Sequence, residues 1–397
     1  MYQRPTDFPK RFSSASTGGQ DSRRCRRPGG APARCRGAGM RFIVPVRRTI
    51  SRMRPYCPPL EGRAGKLRLD FNENTLGCAP MVRRVLAQLT REKIATYPEY
   101  QALRLQLAHF FRVRANELIL TSGTDDSLHL IADTVIEPGS TVLLIEPTFA
   151  MYRFYAERAG AKIVALRYDD QMRLPLESVV QALRSHPRVF FLANPNNPTG
   201  TLAKRDELRQ LLKAAAATLV VVDEAYFEFA GFTVLPWIRR NRNLIVLRTF
   251  SKAAGLAGLR IGCLLAHRAL VAALRKAQSP YSVNTAALVA AEATIRIPSY
   301  VRRYAREVNR SREMLRKALH RLGIPCFPSA ANFVLADFGR RGPTILRRLR
   351  RQGILLRDRQ ADFGRVGLVR ITVGTHKQTQ RLLSALEQLW PSSNLRS

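Results

Sequence analysis

A chain of 397 residues exceeds what one hydrophobic core usually serves, and 46% hydrophobic with 8% aromatic residues is the composition of a globular protein of about two domains rather than of a disordered chain. Six widely scattered cysteines without a CxxC pair exclude a disulfide-dense framework, and no apolar run reaches the roughly 18 residues of a membrane-crossing helix. The formal net charge is +37; residues 1–53 hold 13 Lys/Arg against 2 Asp/Glu, a surplus of 11, which leaves 26 positive charges in the body of the chain.

Such a field draws polyanions non-specifically and favours anionic substrates. An Arg-rich compositional bias explains the charge as well. Clusters such as Arg347-Arg348 and Arg350-Arg351 lack interleaved stacking aromatics, and no helix-turn-helix or zinc pattern occurs, so no specific nucleic-acid partner is expected. Unpaired cysteines, no apolar core of a secretory signal after Met1 and no membrane span together predict a soluble protein of a reducing, cytoplasmic compartment.

In chain order, residues 1–53 come first, rich in Arg, Ser, Gly and Pro, and are expected to be a disordered basic extension. Two origins fit it: an organelle transit peptide, or a start placed too far upstream, with Met40 and Met53 as internal alternatives. From residue 81 to 288, helix-length segments alternate with short apolar runs at Leu118–Leu120, Thr141–Ile145, Val189–Leu192, Leu219–Val222 and Leu244–Leu247. Runs apolar on both faces predict an α/β domain whose mainly parallel sheet is sandwiched by helices. Residues 289–397, with a charged helix over Tyr300–Arg321 and alternating segments at Asn332–Ala336 and Val369–Val373, predict a smaller α+β domain.

Ligands of open α/β sheets collect at the carboxyl ends of strands, so the residues after each apolar run are the candidates. Leu120 leads into Thr121-Ser122-Gly123-Thr124-Asp125-Asp126-Ser127, which can open a helix whose free N–H groups face an anion. Leu192 leads into Asn194-Pro195-Asn196-Asn197-Pro198-Thr199-Gly200, a rigid turn able to aim an Asn side chain. Val222 is followed by Asp223-Glu224-Ala225-Tyr226, a carboxylate at a strand end with an aromatic hydroxyl three residues on. Leu247 leads into Ser251-Lys252 and Gly255–Arg260. Each has a bland reading alone: an N-cap, a turn, a cap, a solvated loop lysine.

Their conjunction, in this order and spacing, resembles the fold-type-I pyridoxal-phosphate aminotransferases, from about Leu69 to Leu386. Within these it is most similar to the histidinol-phosphate aminotransferases, through Leu69-Asp70-Phe71-Asn72-Glu73-Asn74, Tyr97-Pro98, Asp223-Glu224-Ala225-Tyr226, Ser251-Lys252 and Arg370-Ile371-Thr372-Val373-Gly374-Thr375. The resemblance implies pyridoxal 5'-phosphate as cofactor, with Lys252 bonding its aldehyde and then shuttling a proton, and Asp223 stabilising the protonated ring nitrogen. It implies Asn197 and Tyr226 on the ring oxygen and Phe149 stacked on the ring, where Tyr is more usual. Gly123, the Thr124 and Asp125 backbone N–H groups, Ser251 and Arg260 would hold the phosphate, with the Asp125 carboxylate turned away. Tyr97 would reach the phosphate of a neighbouring subunit, which implies a homodimer with shared sites. Residues 54–80 would form an arm over the site, with Asn72, Arg357 and Arg370 facing the substrate; Thr75 replaces the Pro often found after Asn-Glu-Asn.

The implied reaction is transfer of the amino group of L-histidinol phosphate to 2-oxoglutarate by a ping-pong cycle, without any metal. An aromatic aminotransferase or a threonine-phosphate decarboxylase shares most of these motifs, and a polyanion-binding protein on an aminotransferase scaffold is the alternative of another class.

Overall fold

The computed structural model describes residues 45–53, 55–56 and 58–390, and everything below concerns the compact unit that begins at Arg47. Most of the stretch expected to be disordered lies outside the described residues. Arg48–Arg52, inside that stretch, form one helical turn.

Strand β1 (Leu67–Leu69) buries both leucines and turns Arg68 outward. The long α/β region that follows builds a seven-stranded sheet from β2 (Leu118–Thr121), β3 (Thr141–Glu146), β4 (Lys162–Arg167), β5 (Val189–Ala193), β6 (Leu219–Asp223), β7 (Leu244–Thr249) and β8 (Gly262–Ala266). Their order is β2-β8-β7-β6-β5-β3-β4, and all pairings are parallel except those of β8. Alternate residues feed two cores: Leu143, Phe190, Val220 and Val246 on one face, Leu144, Phe191, Val221 and Ile245 on the other. Helices cover both faces, which is why β5, β6 and β7 are buried along their whole length.

Two of these strands escape the sequence expectation. β4 is an edge strand with Lys162 and Arg167 at its ends and mostly exposed side chains, so it carries no continuous apolar signal. β8 follows the small-residue loop so closely that its apolar run reads as part of the loop. Its reversed direction matters for function, because it starts at the edge where β2, β5, β6 and β7 end and so delivers Arg260 there.

A second sheet joins β1 to β9 (Phe333–Asp337), β10 (Ile354–Asp358) and β11 (Leu368–Thr372) in the order β1-β10-β11-β9. The expectation placed this layer entirely after residue 289, but β1 comes from the arm and pairs in parallel with β10. The third core lies under this sheet, where Tyr304, Val308, Leu315 and Leu319 of helix Pro298–Arg321 meet Phe333, Ile371, Leu382 and Leu386. Among the described residues no helix is long and apolar enough to cross a membrane.

Candidate active site

The carboxyl ends of β2, β5, β6 and β7 converge on a cavity of about 450 Å³ that is closed on its far side by β10, β11 and residues of the arm. At the end of β6, the Asp223 carboxylate accepts from the Ala225 N–H (3.0 Å) and from the hydroxyl of Tyr152 (2.8 Å). The next residue alternates to the opposite face, where Glu224 forms a buried ion pair with Arg248 (2.8 Å) and leaves Asp223 as the carboxylate facing the cavity. Burial pushes Asp223 up to about 6, against the lowering pull of Tyr152 and Ala225.

Past the end of β7, Ser251 N–H donates to Thr249 Oγ1 (3.1 Å) and the Thr249 hydroxyl donates to Ser251 Oγ (3.0 Å), a closed turn that presents Lys252. The Lys252 amine donates to the Phe71 carbonyl at 3.1 Å. Burial, aided by Arg370 and Arg260, brings its pKa down to about 8, with Glu73 and Asp125 opposing. At the end of β2, Gly123 opens the helix Gly123–Val135 at φ +77°, and a Cβ there would stand 2.6 Å from Arg260 Nη2. A Cβ on Gly262 would likewise crowd the Thr124 nitrogen at 3.1 Å, so two glycines keep open a cradle of N–H groups beside a guanidinium.

The arm supplies a third wall. Asn72, in the left-handed region at φ +57°, donates through its amide to the Tyr226 hydroxyl (2.9 Å). Its carbonyl accepts from Asn332 (3.1 Å), its N–H donates to Thr372 Oγ1 and its side-chain oxygen accepts from the Thr372 hydroxyl, both at 3.0 Å. Cross-strand pairing of Arg357 with Arg370 sets two guanidinium groups side by side at the cavity. Arg370 is buried, donates to Asn197 Oδ1 and to the Asp70 carbonyl, and is brought down to about 10 by burial. Neither arginine forms an ion pair with any described carboxylate, whereas Arg359, also on the cavity, is paired with Asp362 at 2.6 Å.

The structure thus brings together Thr124, Asp125, Phe149, Asn197, Asp223, Tyr226, Ser251, Lys252, Arg260, Asn72, Arg357 and Arg370 around one cavity, with Gly123 packed behind Arg260. Asp125 departs from expectation. Its carboxylate is not turned away: it lines the cavity and accepts from Arg260 Nη2 at 2.9 Å, a placement favoured by that cation and by the helix N-terminus it sits on. Tyr97 does not line the cavity of its own chain; it is 78% exposed and packs at a tilt against Tyr281, with ring centroids 4.5 Å apart.

Several lining residues have no counterpart in the sequence reading. Tyr152 follows Phe149 by three positions at the start of one helix, a spacing that could have revealed it. Arg63 and Arg359 carry no such signal, since single arginines are common throughout this chain, and nothing local to Asp362 marks it as facing a cavity.

A mainly parallel sheet whose strand ends gather a buried lysine, a buried carboxylate and an anion cradle defines an α/β enzyme site of the cofactor-carrying kind. The model of the family described as aminotransferase class I and II matches residues 64–386, and the chain belongs to that family. A histidinol-phosphate aminotransferase of Symbiobacterium thermophilum is 36% identical over 355 residues, covering 86% of this chain and 98% of the relative. The crystal structure of histidinol-phosphate aminotransferase from Sinorhizobium meliloti in complex with pyridoxal-5'-phosphate superposes with a TM-score of 0.80 at 26% identity, over 88% of this chain and 98% of that one. An L-threonine-O-3-phosphate decarboxylase from Porphyromonas gingivalis is also similar, with a TM-score of 0.72 at 26% identity over 81% and 99% of the two chains.

Proposed function

We propose that this chain is a pyridoxal-phosphate-dependent aminotransferase that passes the amino group of L-histidinol phosphate to 2-oxoglutarate, giving imidazole acetol phosphate and L-glutamate in histidine biosynthesis. The observation that carries the reading is a buried, pKa-lowered lysine amine in a cavity that also holds two arginines unpaired with any described carboxylate. The Symbiobacterium relative supports the choice of substrate.

The residues present fit the cofactor. Cβ atoms at Gly123 and Gly262 would crowd the cradle, the Asp223 carboxylate has no cationic partner within hydrogen-bonding distance among the described residues, and Phe149 lines the same cavity. When bound, pyridoxal phosphate supplies an aldehyde that bonds amines and a ring that draws electrons from the substrate α-carbon. Lys252 Nζ would bond that aldehyde and, freed by the substrate amine, would move the α-proton; a pKa lowered to about 8 makes it a readier base than an ordinary lysine, though still mostly protonated at neutral pH. Asp223 would hold a proton on the ring nitrogen, and Asn197 with Tyr226 would donate to the ring oxygen. Thr124 and Asp125 N–H groups, Ser251 and Arg260 would hold the phosphate, Arg260 now being paired with Asp125.

Arg357 and Arg370 take the anionic end of the substrate, a phosphate for the amine and a carboxylate for the 2-oxo acid. In the purified holoenzyme, histidinol phosphate bleaches the visible band of the lysine-bound cofactor, while phenylalanine and threonine phosphate leave it in place. Bleaching by phenylalanine alone would reassign the enzyme to aromatic amino acids, and release of carbon dioxide from threonine phosphate would make it a decarboxylase.

The active form is a cytoplasmic homodimer with shared sites. Leu76, Met81, Ile94, Tyr97 and Tyr281 are large apolar residues left exposed, four of them from one stretch, as a covered subunit face would leave them in a single chain. Tyr97 then reaches the phosphate of the neighbouring cofactor. Light scattering gives twice the chain mass, and a monomer at full activity would overturn this assembly.

A further inference from the structure

Three groups of the site lean on one short piece of the arm. The Asp70 carbonyl accepts from Arg370, the Phe71 carbonyl accepts from Lys252 (3.1 Å), and the Asn72 amide donates to Tyr226 (2.9 Å). The far side of this piece is fastened by Asn332 and Thr372 and by Asn74, whose amide donates to the Ala253 carbonyl (2.8 Å). The near side is fastened by Arg63. Its Nε and Nη2 donate to the two Asp70 oxygens (3.0 and 2.9 Å), and Nη2 and Nη1 donate to the two Glu73 oxygens (2.6 and 3.4 Å). The guanidinium also lies 4.3 Å from the centroid of the Phe71 ring. Arg63 stands between Gly62 and Gly65, both at positive φ (+68° and +69°), which let the loop turn sharply on either side of it.

This geometry leaves Arg63 little to offer a substrate. Four of its five N–H groups are spent on two carboxylates, one on each side of Phe71 and Asn72. Its side chain is 12% exposed and that of Asp70 8%, so removing the guanidinium leaves a nearly buried carboxylate without its partner.

We propose that Arg63 is a positioning residue: by bridging Asp70 and Glu73 it clamps residues 70–74 so that the Phe71 carbonyl stays on Lys252 and the Asn72 amide on Tyr226. The proposal rests on the reading that Lys252 bonds the cofactor. Both geometry and charge enter. Without the guanidinium, Asp70 loses its ion-pair partner and Glu73 keeps only the more distant Arg68 (4.0 Å), and Glu73 already favours the protonated form of the Lys252 amine.

The test uses the full-length holoenzyme and follows the visible band of the lysine-bound cofactor against pH, together with kcat. Arg63→Gln raises the titration midpoint and lowers kcat about tenfold at unchanged cofactor content. Arg63→Lys, which keeps the charge but cannot present a planar fork to two carboxylates, recovers only part of kcat. Combining Arg63→Gln with Glu73→Gln lowers kcat no further than Arg63→Gln alone, since both break one clamp. A wild-type midpoint and kcat in Arg63→Gln, full recovery with lysine, or additive losses in the double variant would each overturn the clamp. If Arg63→Gln does not fold, the lysine variant carries the same decision. A wild-type protein without any Lys252-dependent band would overturn the parent reading instead, and the clamp with it.

Discussion

Replacing Lys252 with alanine removes turnover by about 10⁴-fold or more while leaving the fold and the cavity in place. On the proposed reading the lysine has two duties, covalent attachment of the cofactor and proton transfer at the substrate α-carbon, and among the described residues no other amine lines the cavity to take over either. The variant still retains cofactor through the cradle at Thr124, Asp125, Ser251 and Arg260, but reduction with borohydride no longer fixes the cofactor's mass to the chain. Loss of activity through unfolding is not expected, by the following sign. A lysine whose folded pKa falls from 10.5 to about 8 is a burden that is complete below pH 8 and fades as the pH rises to 10.5. At neutral pH, alanine therefore relieves a buried charge, and what it loses is the packing of a four-carbon stem. Covalent cofactor retained by the alanine variant, or a kcat within tenfold of wild type, would refute the assignment.

The sequence made the large sheet and its chemistry legible for one physical reason: in a covered parallel sheet every inner strand is a continuous apolar run, and the functional residues follow immediately at its carboxyl end. Asn197, Asp223 and Lys252 are each found by that rule, and the structure gathers all three on one cavity. The second sheet was less legible because its pairings are long-range. Nothing local announces that Leu67–Leu69 will lie beside Ile354–Leu356, and it is this pairing that lays the Asp70–Asn74 segment across the site. Likewise Arg357 and Arg370 are two among 66 basic residues until antiparallel register makes them neighbours. Charge pairing was the least legible of all. The sequence expectation turns the Asp125 carboxylate away from the anion site, yet Arg260 takes that carboxylate as its partner. Arg63 and Arg359 are neutralised by carboxylates, and Arg357 and Arg370 by none described, a distinction that exists only in three dimensions.

Asp223→Asn gives two opposite effects that together identify what the carboxylate is for. Turnover drops about 10³-fold, in the range expected when one preorganised charge facing the reacting system is lost. The ligand-free protein, in contrast, becomes more stable at neutral pH. Asp223 ordinarily titrates near 3.8 and burial lifts it to about 6, so ionising it in the folded state costs up to about 3 kcal/mol. That cost is complete above pH 6 and disappears below about 3.8, so the advantage of the asparagine variant in thermal unfolding shrinks as the solution is acidified through this window. Asparagine keeps an oxygen for the Ala225 N–H and an amide for Tyr152, so little hydrogen bonding is forfeited. With pyridoxal phosphate bound the order inverts, because the wild-type carboxylate then gains a cationic partner and the amide does not. Tyr152→Phe acts on the same group from the other side: removing the hydroxyl that holds Asp223 down raises its pKa further and moves the acid limb of the pH–rate profile upward. If the ligand-free asparagine variant is less stable than wild type at every pH, the buried carboxylate is a structural cap; if it is more stable but turns over normally, Asp223 is strained without being used. Only stability gained together with turnover lost matches a charge buried in advance for the cofactor.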